Sequence, residues 1–273
     1  MNDSSAKDAA PPCDTTRPFT SPVPVEGIPD GSEGARLTPD ERTIYFATSA
    51  TNASASGSDD IVQLNRSNAR LTWLKAVNSP VRDMYPWINS DETQLLFSSN
   101  RSSGGGWQIF EYRRSPGASD FGGGRPITEF RLDGNVGYPW IWNGKELWLV
   151  TDAVGAGDIY HSALVNGSFA TATAESNLNS AAIESAPILS SDGLTIFFGS
   201  GRDGGFQKDD IWTATRPTVN DAFVSSSIRN VVELNQNSSG NERPSWISPD
   251  GCRIYFGSDR SGPWKIYVAE RPR

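Results

Sequence analysis

The chain has one histidine, two cysteines and two methionines in 273 residues. A single histidine cannot build a zinc site from several imidazoles, and there is no Cys/His cluster to replace it. The patterns H-E-x-x-H and G-x-S-x-G are absent, which removes the chemistry those motifs carry. A Ser-His-Asp triad would have to use His161, directly after the DIY of residues 158–160, and a lone histidine at a strand end reads as structural or solvated. No apolar run approaches the roughly 20 residues that cross a bilayer as a helix. Positive charge is short as well. Lys+Arg number 24 against 32 Asp+Glu, and the net charge of −8 repels a phosphate backbone, so nucleic acid is not an expected partner.

What is abundant is glycine (26), proline (18) and tryptophan (9). That mixture suits short strands joined by tight turns, with rings filling the core. The opening, MNDSSAKDAAPPCDTTRP, is small, polar and proline-containing, so residues 1–17 read as a disordered leader and 18–273 as one domain. The leader has no apolar h-region, and AAPPC lacks the apolar residues that a lipid-anchoring Cys13 would need.

The domain repeats itself. ARLTPDERTIYFATSA (from Ala35), PWINSDETQLLFSSNR (Pro86), PWIWNGKELWLVTDAV (Pro139), PILSSDGLTIFFGSGR (Pro187) and PSWISPDGCRIYFGSDR (Pro244) align on Asp40, Asp91, Gly144, Asp192 and Asp250. Steps of 51, 53, 48 and 58 residues between these anchors indicate a propeller or solenoid. Each unit reads as a short strand, a tight turn written SPDG in its fullest form, an apolar strand, a glycine-rich hairpin and a third strand such as DIWTA. A less regular fourth strand, FVSSSIRNVVELN (223–235) in the fourth unit, completes a blade. The expected fold is an all-β, five-bladed propeller with four antiparallel strands per blade.

The ends point to ring closure. The fifth unit stops after its third strand, and an unmatched segment, RPFTSPVPVEGIPDGSE, precedes the first. That N-terminal segment is expected to supply the missing outer strand, which removes two sheet edges at once. Cys13 would then lie beside Cys252, and a disulfide between them would clasp the ring and suit an oxidising compartment.

SPDGCRIYFGSDRSGPWKIYVAER, residues 248–271, resembles the TolB-type, WD-like propeller repeat of bacterial periplasmic and secreted proteins. The resemblance covers nearly all of the chain beyond residue 17. It implies an extracytoplasmic propeller and leaves function open, because such blades serve as scaffolds, binding proteins, peptidase gates and lyases. The pectate-fragment lyases among them use several histidine ligands, which this chain does not have.

Candidate site residues come from positions the units share. Asp83, Glu184 and Glu242 lie eight residues before the anchor, and Arg101, Arg202 and Arg260 lie ten after it. In the first and third units these places hold Ser32 and Val136, then Ala50 and Val154, so acid and arginine are absent together. Co-absence argues for structural pairs in bidentate contact. The alternative is a carboxylate ring at the channel mouth holding a cation. Asp60, Asp158 and Asp210 recur at the start of D-I-[VYW], with Asp59 and Asp209 before two of them; the loops 49–60 and 201–210 resemble calcium loops in composition only, and such an Asp most simply caps its own hairpin. No cofactor is expected, with an adventitious calcium ion as the one alternative.

Trp87, Trp140 and Trp246 share one first-strand position, filled by Ile188 in the fourth unit, and read as packing between blades. Tyr85 and Tyr138 lie two residues earlier, nearer the funnel mouth. They are the binding candidates there, together with the three acids. Trp73, Trp107 and Trp264, in or near loops, offer faces for a sugar ring. Two readings follow. One is a monomeric, non-enzymatic module that binds a protein, peptide or glycan. The other is a carbohydrate-active enzyme with paired funnel carboxylates. An acid in the funnel that lacks an arginine and has a raised pKa would separate them.

Overall fold

The computed structural model describes residues 13–50, 58–206, 208–235 and 240–273. The five repeats fold as five antiparallel blades around one channel, four of them four-stranded and the third with its outer edge split into two short strands. The innermost strands are Ser32–Leu37, Asp83–Ile88, Val136–Trp142, Glu184–Leu189 and Glu242–Ile247. The second strands are Thr43–Thr48, Gln94–Ser99, Glu146–Thr151, Thr195–Ser200 and Arg253–Ser258. Their fourth residues, Phe46, Phe97, Leu149, Phe198 and Phe256, are fully buried between blades, where repetition puts one large apolar group in every layer.

The third strands run Asp60–Asn65, Gln108–Arg113, Asp158–Val165, Asp210–Thr215 and Lys265–Glu270. Outer strands are shorter and vary. In the fourth blade, residues 223–235 give only Arg229–Asn230 as strand, preceded by a 3₁₀ turn at Ser225–Ser227. Phe223 buries its ring against Trp148 of the third blade, and burying that ring takes the place of continued pairing.

The N-terminal segment closes the fifth blade. Val23 and Pro24 pair with Val268 and Tyr267, flanked by bonds from Thr20 N–H to the Glu270 carbonyl and from Val25 N–H to the Ile266 carbonyl. Cys13 and Cys252 are joined by a disulfide across a sequence separation of 239. Residues 13–17, read from sequence as leader, are therefore tied to the blade, and Asp14 N–H also donates to the Pro272 carbonyl. Leader residues 1–12 lie outside the described residues.

The turns after the innermost strands work as their composition requires. The Asp side chains accept from a neighbouring hydroxyl, as Thr38 Oγ1 to Asp40 (2.7 Å) and Ser190 Oγ to Asp192 (2.6 Å). Asp40, Asp91 and Asp250 have carboxyls below their usual range. Hydrogen bonds from Thr38 and Thr93 are the largest cause at the first two; at Asp250 burial is the largest single influence and raises it, but the Ser248 and Cys252 hydrogen bonds and the Arg253 charge together bring it down. Two turn glycines test what the ring demands. Gly144 and Gly193 both have left-handed φ, +63° and +71°. A Cβ on Gly144 meets nothing within 4 Å, whereas one on Gly193 would lie 2.4 Å from the Trp142 indole of the preceding blade. Gly144→Ala should cost about 1–2 kcal/mol, the left-handed penalty alone. Gly193→Ala should cost roughly 1–3 kcal/mol more for overpacking. Chemical denaturation of the two variants measures the difference, and equal losses would mean the blades separate freely at that seam.

Candidate funnel site

Every innermost strand is broken by a bulge after its second or third residue. At its third position φ is left-handed in four blades: Gly34 (+69°), Tyr85 (+52°), Tyr138 (+56°) and Ala186 (+47°). In the fifth blade Pro244 occupies this place. For tyrosine this backbone costs about 1–3 kcal/mol and persists only where surroundings enforce it. Gly34 is needed for a close approach, since a Cβ there would lie 3.1 Å from Tyr85 Cα. These residues form the channel's waist.

On the side of the waist where the strands begin lies a cavity of about 440 Å³. At its floor Tyr85 and Tyr138 lie with ring centroids 4.1 Å apart, and the Tyr138 hydroxyl is 3.3 Å from that of Tyr85. Tyr85 donates to Glu33 Oε2 at 3.1 Å. Arg243 binds Asp209 through Nε and Nη2 (2.9 and 2.8 Å), and its Nη1 lies 3.4 Å from the Tyr85 hydroxyl and 3.7 Å from Glu33. Trp264 lies under this guanidinium at 4.9 Å, and Trp107 under that of Arg82 at 5.5 Å. Arg82 in turn is bound to Asp59 at 2.5 Å.

Burial raises the Glu33 carboxyl, against the opposing pull of Arg243 and the Tyr85 hydrogen bond. Burial also holds Tyr85 well above its usual range and raises Tyr138. Arg243 is opposed by burial, yet the surrounding tyrosines, Asp209 and Glu33 hold it firmly charged. The floor therefore presents one carboxyl of raised pKa, two hydroxyls and one fixed cation. Asp152 and Asp259, on the rim, each take two hydrogen bonds from an asparagine, Asn135 and Asn241.

Of the five residues read as funnel-mouth candidates, Tyr85 and Tyr138 line the cavity. Glu184 also borders it, but the carboxylates of Asp83, Glu184 and Glu242 are fully buried. Each meets its arginine, Asp83–Arg101 at 2.6 Å, Glu184–Arg202 at 2.9 Å and Glu242–Arg260 at 3.1 Å. The contact is single rather than bidentate, because the fork is shared. Arginine Nε donates to Ser99, Ser200 or Ser258, and Nη2 also reaches the Val77, Leu178 or Leu234 carbonyl in the segment entering the blade. Burial pushes the Glu242 carboxyl up to about 7. In the first blade a small hydroxyl pair replaces the clamp, Ser32 Oγ to Thr48 Oγ1 at 2.9 Å.

Among the other candidates, Asp210 caps its hairpin by accepting from Phe206 N–H (2.5 Å), and Asp59 and Asp209 are spent on Arg82 and Arg243. Burial raises Asp60 to about 6. Residues 51–57 and 207 of the calcium-like loops lie outside the described residues. Among the described residues no three His, Cys, Asp or Glu side chains are grouped to hold a metal. His161 stacks on Trp148 and meets Glu146 at 3.0 Å, within the third blade. Trp73 packs against the core from an outer strand, and Trp107 and Trp264 line the funnel. Glu33 and Arg243 were not singled out from sequence. Their signal is that the equivalent position holds Met84, Gly137 and Ser185 elsewhere, so charge here is specific to two blades.

No protein-family model matches the chain, and no curated protein does. Solved structures match at low identity. TolB from Acinetobacter baumannii is 17% identical with a TM-score of 0.54, covering 89% of this chain and 56% of its own. Putative TolB from Agrobacterium tumefaciens is 17% identical, TM-score 0.56, covering 89% and 78%. A thermostable family-43 glycoside hydrolase is 13% identical, TM-score 0.61, covering 92% of each chain. The chain thus spans 56% of the Acinetobacter protein and 92% of the family-43 hydrolase, and identities this low speak to architecture only. By architecture it is a five-bladed β-propeller, similar in fold to TolB and to the glycoside hydrolase alike.

Proposed function

We propose that this propeller is a non-enzymatic binding module that works outside the cytoplasm as a monomer and without a cofactor. It takes a glycan or an extended peptide of a partner protein into the funnel. The observation that carries the reading is the Tyr85–Tyr138–Glu33–Arg243 floor flanked by Trp107 and Trp264. It combines ring faces for stacking with donors and acceptors fixed by one another, at the cost of two strained tyrosines. The disulfide supports an oxidising compartment.

The reading is tested by calorimetric titration of oligosaccharide and peptide panels. Tyr138→Ala and Arg243→Ala should each weaken a bound hit by about 10- to 100-fold, as expected for central anchors. Unchanged affinity in both variants would remove the funnel as the binding site.

A hydrolase is the second reading, favoured by Glu33 alone, an acid of raised pKa in the funnel. A glycosidase also needs a second carboxylate across the scissile bond. Here Arg243 lies between Glu33 and Asp209, and the rim carboxylates of the cavity, Asp152 and Asp259, are each held by an asparagine. Turnover of chromogenic glycosides that vanishes in Glu33→Gln would replace the binding reading.

A further inference from the structure

The fifth position of the innermost strands forms a ring below the waist, on the face opposite the funnel. Its members pair with the second strands in equivalent register: Trp87 with Leu96, Trp140 with Trp148, Ile188 with Phe197, and Trp246 with Tyr255. The first blade's member is Arg36, opposite Tyr45. One arginine thus replaces an apolar residue in the ring.

Arg36 reaches across the channel. Its guanidinium carbon lies 4.0 Å from the ring centroid of Trp140, two blades away, and 5.5 Å from that of Trp87. Nε donates to the Ile88 carbonyl at 3.4 Å. Nη1 is buried with no hydrogen-bond partner among the described residues, and so are the indole Nε1 atoms of Trp87 and Trp140. All three orphans are N–H donors. Burial draws the Arg36 guanidinium down to about 9, so it stays charged at neutral pH.

Arg36 and Trp140 line a cavity of about 390 Å³, walled also by Ile88, Trp142, Leu189 and Trp246. Among the described lining residues Arg36 is the one charged group, in a chain of net charge −8. The turn carboxylates beside it are turned to their own loops, as with Ser248 Oγ to Asp250 (2.5 Å) and Thr93 Oγ1 to Asp91 (2.7 Å). A half-buried cation whose Nη1 is buried and unpartnered, with no carboxylate to meet it, is costly unless something else supplies acceptors. A carboxylate is acceptor-only and suits the guanidinium fork.

We propose that the cavity opposite the funnel binds a carboxylate carried on an apolar body, as in the C-terminal residue of a peptide, with Arg36 on the carboxylate and Trp142 and Trp246 against the body. This site is separate from the funnel and does not depend on the funnel reading.

The test titrates N-acetyl-tyrosine, its neutral amide, galacturonate and inorganic phosphate into the folded protein, following tryptophan fluorescence and thermal midpoint. N-acetyl-tyrosine should saturate the protein at about millimolar concentration or below and raise the midpoint, as a ligand of the native state does. The amide should bind at least about tenfold weaker, the loss of a charge-assisted contact. Arg36→Gln and Arg36→Met should lose binding while melting no lower than the parent, because each removes a half-buried charge whose Nη1 is unpartnered. Arg36→Lys should bind weakly, having charge without the fork, and Tyr138→Ala should bind normally. The proposal is overturned by no binding to the parent, equal binding of acid and amide, binding unchanged in Arg36→Gln, or binding of galacturonate or phosphate alone. An Arg36→Met variant that melts well below the parent would make Arg36 a structural plug instead.

Discussion

Reduction of the Cys13–Cys252 bond should lower the unfolding free energy by roughly 5 kcal/mol, near the upper end of what one disulfide supplies. The sequence separation is 239, so the cross-link removes closure entropy from almost the entire unfolded chain. The seam it guards is thin. The closing strand has two residues, both exposed, and Pro24 has no N–H to donate. Phe19 is the buried anchor of the segment, packed on Phe197 and under Arg271. A Cys13→Ser/Cys252→Ser double variant should melt roughly 10 °C below the parent, and added reductant should move the parent to the same midpoint. A midpoint that does not move would mean that Phe19 and the two-residue strand close the ring by themselves.

The ring was legible because its grammar is local. Asp40, Asp91, Asp192 and Asp250 mark turns whose chemistry lies within a few residues, and their spacing counts the blades. The clamps were legible from co-absence, since Ser32 and Val136 stand where Ala50 and Val154 also break the pattern. What did not show was which way the acids point. Alternation at period two puts Asp83 and Tyr85 on one face. The bulge between Met84 and Trp87 breaks that alternation, so Tyr85 reaches the funnel while Asp83 stays buried. A bulge of this kind depends on crowding at the channel axis, which involves all five blades at once. Glu33, Arg243 and Arg36 escaped for a different reason. They are departures from the repeat, and attention to what recurs passes over them; a comparison of the units position by position exposes all three.

Breaking one clamp should cost as much as many core truncations. Arg202→Leu leaves the Glu184 carboxylate fully buried, still held by Ser180 and Ser200 hydroxyls but without its cation. Loss of one partner from a buried pair typically costs about 3–5 kcal/mol. The Leu178 carbonyl loses its donor as well, which loosens the segment entering the fourth blade, and the Phe198 face loses the stacked guanidinium at 4.8 Å. The midpoint should fall by roughly 6–15 °C. Adding Glu184→Gln to Arg202→Leu should recover part of the loss, because the stranded charge is gone, and the non-additivity of the pair measures the coupling. Arg82→Leu is the control. Its side chain is 51% exposed, and its bond to Asp59 should be worth under about 1 kcal/mol. If Arg202→Leu and Arg82→Leu cost the same, the clamps are not what holds each blade to the segment before it, and the shared apolar layer of Phe46, Phe97, Leu149, Phe198 and Phe256 carries that task alone.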